Sequence, residues 1–72
     1  MTGRFMELQE VADELATSWK QVYALVRSGD LPAIKIGGRG QWRVERSKLE
    51  EWIAAKYAET AQYVQENPIT DA

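Results

Sequence analysis

The side chains with chemistry to offer in this chain are its cations and the aromatics set among them. Seven of the nine Lys and Arg residues fall between positions 17 and 48: Lys20, Arg27, Lys35, Arg39, Arg43, Arg46 and Lys48. Trp19, Tyr23 and Trp42 are interleaved with them, and Gly37-Gly38-Arg39-Gly40 interrupts the run. The acids lie elsewhere. Residues 1–16 carry a net charge of −3, residues 17–48 of +5 and residues 49–72 of −4, against −2 for the whole chain of 72 residues. Electrostatic contact is governed by a local patch more than by a global total. The chemistry in prospect is neutralisation of phosphates and hydrogen bonding to base edges, without bond making.

Composition removes most alternatives. With neither cysteine nor histidine, the chain has no thiol or imidazole catalyst, no disulfide framework and no ordinary zinc site. The acidic groups Glu10/Asp13/Glu14 and Glu50/Glu51 lack a convergent partner for acid–base work and read as solvated helix faces. The glycine run lacks the G-x-x-x-x-G-K-[ST] pattern and no helix opens directly after it, so it reads as a hairpin tip. The expectation is a protein that is not an enzyme and that uses no metal or cofactor. No apolar run approaches the roughly 20 residues that span a bilayer, and the first residues lack a signal-peptide core. A soluble, cytoplasmic, nucleoid-associated protein is expected.

The elements that must position the cations follow from periodicity. A chain of this length has room for one domain. Residues 1–6 show no periodic signal and read as a flexible lead-in. Leu8, Val11, Ala12 and Leu15 fall on one helical face. Ser18 followed by Gln21 reads as a capping box opening a second helix. Val22, Leu25 and Val26 point inward there, while Lys20, Tyr23, Ala24 and Arg27 point outward. Ser28-Gly29 supplies a stop, with glycine free to take a left-handed C′ position.

Ile34 and Ile36 alternate with Lys35, and Trp42 and Val44 alternate with Gln41 and Arg43, which predicts a two-stranded hairpin. Its apolar face is expected to hold Ile34, Ile36, Trp42 and Val44 against the helices, with Lys35, Gln41 and Arg43 on the other face. A second capping box, Ser47 to Glu50, opens a long helix whose first inward stripe is Leu49, Trp52 and Ile53. Beyond Lys56 the apolar positions rotate to Tyr57, Ala61 and Val64, so this helix outruns the core. Asn67-Pro68 ends it. The expected division is a flexible stretch over 1–6, a DNA-binding domain over 7–56, a helical extension over 57–67 and a disordered tail over 68–72. Trp52 and Trp42 read as packing residues. Trp19 is open to two readings, packing against the hairpin or touching a nucleic-acid backbone.

Two short helices at a tight turn are the helix-turn-helix geometry, and the run V-Y-x-L-V-R-x-G-x-L-P-A over 22–33 with L-x-x-W over 49–52 is a specific combination. The text LQEVADEL at Leu8–Leu15, SWKQVYALVRSGDLPAIKIG at Ser18–Gly37, WRV at Trp42–Val44 and RSKLEEWI at Arg46–Ile53 resembles the excisionase and MerR-like winged helix-turn-helix proteins. The resemblance covers about two-thirds of the chain. It departs at Glu7, where such proteins often have a Ser/Thr cap, at Thr17 and at Lys48. It implies a mainly α fold of three helices and a two-stranded wing, with the helix beginning at Ser18 as recognition helix.

The expected contact set for duplex DNA is Ser18, Trp19, Lys20, Gln21, Tyr23 and Arg27 on the helix, with Lys35, Arg39, Gln41 and Arg43 on the wing. A transcriptional regulator is the leading expectation. A recombination directionality factor that bends attachment-site DNA and partners an integrase is the alternative. A protein-interaction module comes third. Long terminal helices in MerR-like regulators commonly pair subunits, so Tyr57, Ala61 and Val64 are expected at a homodimer seam, or in a cooperative array on DNA.

Overall fold

A computed structural model of the protein describes residues 3–67. In chain order these form β1 (Phe5–Glu7), α1 (Leu8–Glu14), α2 (Trp19–Arg27), β2 (Ile34–Ile36), β3 (Gln41–Glu45) and α3 (Arg46–Glu66). The strands make one antiparallel sheet in the order β1-β3-β2. Met6, Leu8, Val11, Ala12, Val22, Val26, Leu31, Val44 and Leu49 form the buried core, so the sheet and all three helices contribute to it.

The helix-turn-helix corner is made by local chemistry. The backbone N–H of Thr17 donates to the Ala12 carbonyl at 2.9 Å and that of Ala16 to the Asp13 carbonyl at 3.1 Å. This is the paired pattern of a Schellman stop. Ala16 takes the left-handed position at φ 54°, where a residue with a β-carbon is strained. Ser18 caps α2 as expected, its hydroxyl oxygen accepting from the Gln21 N–H at 3.1 Å. Gly29 is left-handed at φ 84° and ends that helix. The chain then turns so that Leu31, which sequence reading leaves in the turn, is fully buried.

Three expectations are corrected. The lead-in is not loose throughout: Phe5–Glu7 pairs with β3, and Met6, opposite Val44, is only 2% exposed. A three-residue strand is too short to register as alternation, and its partner lies far along the chain. Ser47 does not cap α3. The helix starts at Arg46, whose N–H is already satisfied at 2.8 Å by the Arg4 carbonyl beside β1. The third correction concerns the faces of the wing.

Ile36 pairs with Gln41, Lys35 with Trp42 and Ile34 with Arg43. Directly opposed residues share a face. The alternation within each strand is as expected, but the four-residue tip offsets the two by one position, and a one-residue offset moves every side chain across the sheet. Because Val44 must face Met6 and the helices, Lys35 lies on the Trp42 and Val44 side. Ile34 and Ile36 lie with Arg43 and Gln41 and are 49% and 46% exposed, not core residues.

The proximal part of α3 is held by buried Leu49 and half-buried Trp52 and Ile53. Its distal part projects from the core, and the molecule measures 47 × 22 × 19 Å. The helix closes at Asn67, whose backbone N–H donates to the Tyr63 carbonyl at 2.7 Å. The tail expected to be disordered, 68–72, lies outside the described residues. Among the described residues no helix is long and apolar enough to cross a membrane.

Candidate nucleic-acid interface

The cap at Ser18 and the stop at Gly29 frame a helix with two distinct faces. Val22 and Val26 are buried, and Leu25 is half-buried against them. The stretch from Ser18 to Gly29 contains no acid. Lys20, Ala24 and Arg27 are exposed on the opposite side, with Tyr23 half-buried. Residues four apart on a helix meet. Here the Trp19 and Tyr23 rings stack with centroids 5.1 Å apart and planes 9° from parallel. The Arg27 guanidinium carbon lies 5.9 Å from the centre of the Tyr23 ring. Long helical side chains lean toward the N-terminus, which brings this cation back from the last turn to the middle of the exposed face.

Trp19 stands where α2 meets the wing. It remains 45% exposed and packs on Tyr23, and it also lines an open groove of about 170 Å³ that joins α2 to the wing. Glu7, Leu8, Gln9, Gly40, Gln41, Trp42 and Arg43 form the rest of that groove. Sequence reading does not single out Glu7 and Gln9 as its neighbours, since only the fold brings the start of α1 beside the wing.

The wing cations do not share one face. Lys35 is on the Trp42 side, Arg43 on the Ile34 side, and Arg39 stands at the glycine tip. Arg43 is half-buried, and its Nη1 donates to the Trp42 carbonyl at 2.9 Å, which fixes its stem along the strand. Arg46, counted in the basic stretch, turns toward β1, where its Nε donates to the Gly3 carbonyl at 3.5 Å.

A second cluster braces the site from behind. The Trp52 indole N–H donates to Asp30 Oδ2 at 3.1 Å, and Lys56 Nζ lies 3.2 Å from the same oxygen. Lys56 also sits 5.4 Å from the centre of the Trp52 ring. The indole hydrogen bond first, then the ammonium, holds the Asp30 carboxyl below its usual range. Lys56 is raised by its bonds to Glu59 and then Asp30. Asp30 directly follows the α2 stop, so these contacts tie the end of α2 to the middle of α3. The helical spacing of Trp52 and Lys56 is visible in the sequence, whereas their meeting with Asp30 depends on the tertiary fold.

Tyr57, Ala61 and Val64 are all exposed on the projecting part of α3, Tyr57 by 76%. The three helices, the small antiparallel sheet and the cationic outward face of α2 define a winged helix-turn-helix, a fold built to present one helix to duplex DNA. Residues 5–57 match the family described as helix-turn-helix domain, and the chain belongs to it. The match takes in every element except the distal part of α3, and it agrees with the resemblance to excisionase-like proteins. No curated protein and no solved structure matches the chain.

Proposed function

We propose that this small DNA-binding protein recognises specific duplex sites and regulates transcription, with α2 as its recognition helix. The observation that carries the reading is the division of α2 into a buried apolar face and an acid-free outward face bearing Lys20, Tyr23 and Arg27. Ser18 and Gln21 at its N-terminal end approach the backbone, and Trp19 lies between helix and wing. Arg39 at the tip, with Lys35, Gln41 and Arg43 along the strands, meets phosphates on either side of the groove. The function is one of binding, without a catalytic step.

Such contacts release counterions, so affinity falls with the logarithm of salt concentration at a slope of about −0.9 per phosphate neutralised. A gel-shift series on genomic fragments tests this. A complex that weakens steeply with salt is expected, and Arg39→Ala is expected to weaken all sites alike while reducing the slope by about 1. Absence of any complex at low ionic strength overturns the reading. Genome-wide occupancy of the tagged protein then distinguishes promoters from attachment sites, and so a regulator from a recombination directionality factor.

The exposed stripe on α3 supports a dimer in which Tyr57, Ala61 and Val64 of two copies pack together. A two-fold pair would set two recognition helices on half-sites about one helical turn, or a multiple of it, apart.

A further inference from the structure

The outward face of α2 is organised before any ligand arrives. Trp19 precedes Tyr23 by about one helical turn and Arg27 follows it by about one turn. The indole stacks on the tyrosine ring with centroids 5.1 Å apart, and the guanidinium carbon lies over that ring at 5.9 Å from its centre. A half-buried ring already engaged by an indole and a guanidinium is poorly placed to act as a stacking platform or a wedge for a base. What the column presents is the arginine at its end.

Stacking on an aromatic face leaves the in-plane N–H donors of a guanidinium pointing outward along its edge. That edge matches the paired acceptors O6 and N7 of guanine, the commonest bidentate contact in the major groove. Among the described residues Arg27 forms no ion pair and no side-chain hydrogen bond, so its donors are not spent within the protein. An arginine ordinarily loses much rotamer freedom when it binds, and one already held on a ring loses less. Lys20, on the same face, has no such support and suits a phosphate as a point charge.

We propose that Trp19 and Tyr23 are positioning residues that hold the Arg27 guanidinium on the exposed face of α2 to read a guanine in the major groove. This rests on the assignment of α2 as the recognition helix.

The test begins with selection of sites from a random-sequence duplex library by the full chain. Each guanine of the selected site is then replaced singly by 7-deazaguanine, which lacks the N7 acceptor, and by adenine. For the unmodified protein, one guanine position is expected to show a loss of roughly tenfold. Arg27→Ala is expected to lose that discrimination, and Tyr23→Leu to lose it while keeping the salt slope, because the latter leaves the charge unchanged. Tyr23→Phe, which keeps the ring, is expected to retain it. Trp19→Leu, at an exposed position, is expected to reduce it in part, and stands in for Tyr23→Leu should the latter fail to give a native thermal melt. Full discrimination in Arg27→Ala overturns the readout, and full discrimination in Tyr23→Leu or Trp19→Leu overturns the positioning. If the unmodified protein enriches no site, the failure lies instead with the DNA-site reading.

Discussion

Two helical stretches of this protein carry aromatic residues toward solvent, and they treat them differently. On α2, Trp19 and Tyr23 are stacked on each other and tied to Arg27, within a helix closed by a serine cap and a left-handed glycine. On distal α3, Tyr57 and Tyr63 stand exposed with no aromatic or cationic ring partner among the described residues. The first surface is complete within one copy of the chain and belongs to the family-matched region. The second lies almost wholly outside it. Aromatics on a preorganised face suit a rigid ligand such as a duplex, whereas unpartnered ones on a projecting helix suit a surface that only a further chain would complete.

The comparison can be broken by cutting α3 into its two roles. Leu49→Ala removes a fully buried side chain and is expected to cost about 2–5 kcal/mol in denaturant unfolding, a large share of the stability of a domain this small. Tyr57→Ala, at an exposed site, is expected to leave monomer stability within about 0.5 kcal/mol. It should nevertheless convert a sedimenting dimer to a monomer, as should a chain ending at Lys56. Identical monomeric masses for all three proteins would remove the α3 seam.

A smaller effect sharpens the account of α2. The corner before it is made by Ala16 in a left-handed conformation. Ala16→Gly is expected to stabilise the fold by about 1 kcal/mol, which raises Tm by about 4–8 °C in a domain of this size. A lower Tm would show that the corner is shaped by something other than its backbone.

The smallest effect marks where the two parts of α3 divide, at the contacts of Asp30 with Trp52 and Lys56. Since the folded-state pKa of Asp30 is depressed, its stabilising contribution is fully present above the unfolded value of about 3.9. It is lost as pH falls through the lower folded value. Asp30→Asn should therefore melt slightly below the parent protein at neutral pH, and the two curves should converge in strong acid. Curves that run parallel throughout would mean that the carboxylate charge takes no part.

Much of this molecule is legible in its sequence. The apolar spacing of Leu8, Val11 and Ala12, and of Val22 and Val26, identifies two core-facing helices. Ser18 and Gly29 mark the ends of the second, and the stretch over 17–48 is where the cations are concentrated. These are signals within one or two turns of chain, where backbone geometry and side-chain periodicity act directly. The i, i+4, i+8 spacing of Trp19, Tyr23 and Arg27 is visible too, but a stack requires particular rotamers, and those are chosen by packing.

Contacts across the chain are another matter. Strand alternation in the wing does not reveal its register, because a four-residue tip and a five-residue tip place opposite sets of side chains against the helices. The burial of Val44 against Met6 makes that choice, sending Ile34 and Ile36 outward and parting Lys35 from Arg43. β1 pairs along an edge of β3, and the N–H of Arg46 at the start of α3 donates to the Arg4 carbonyl. By itself, then, the sequence determined the helices, the cap and stop of α2 and the acid-free outward face of that helix. Only the tertiary structure decided which wing residues share a face and how Asp30 braces α2, since both depend on residues far apart in the chain meeting in one core.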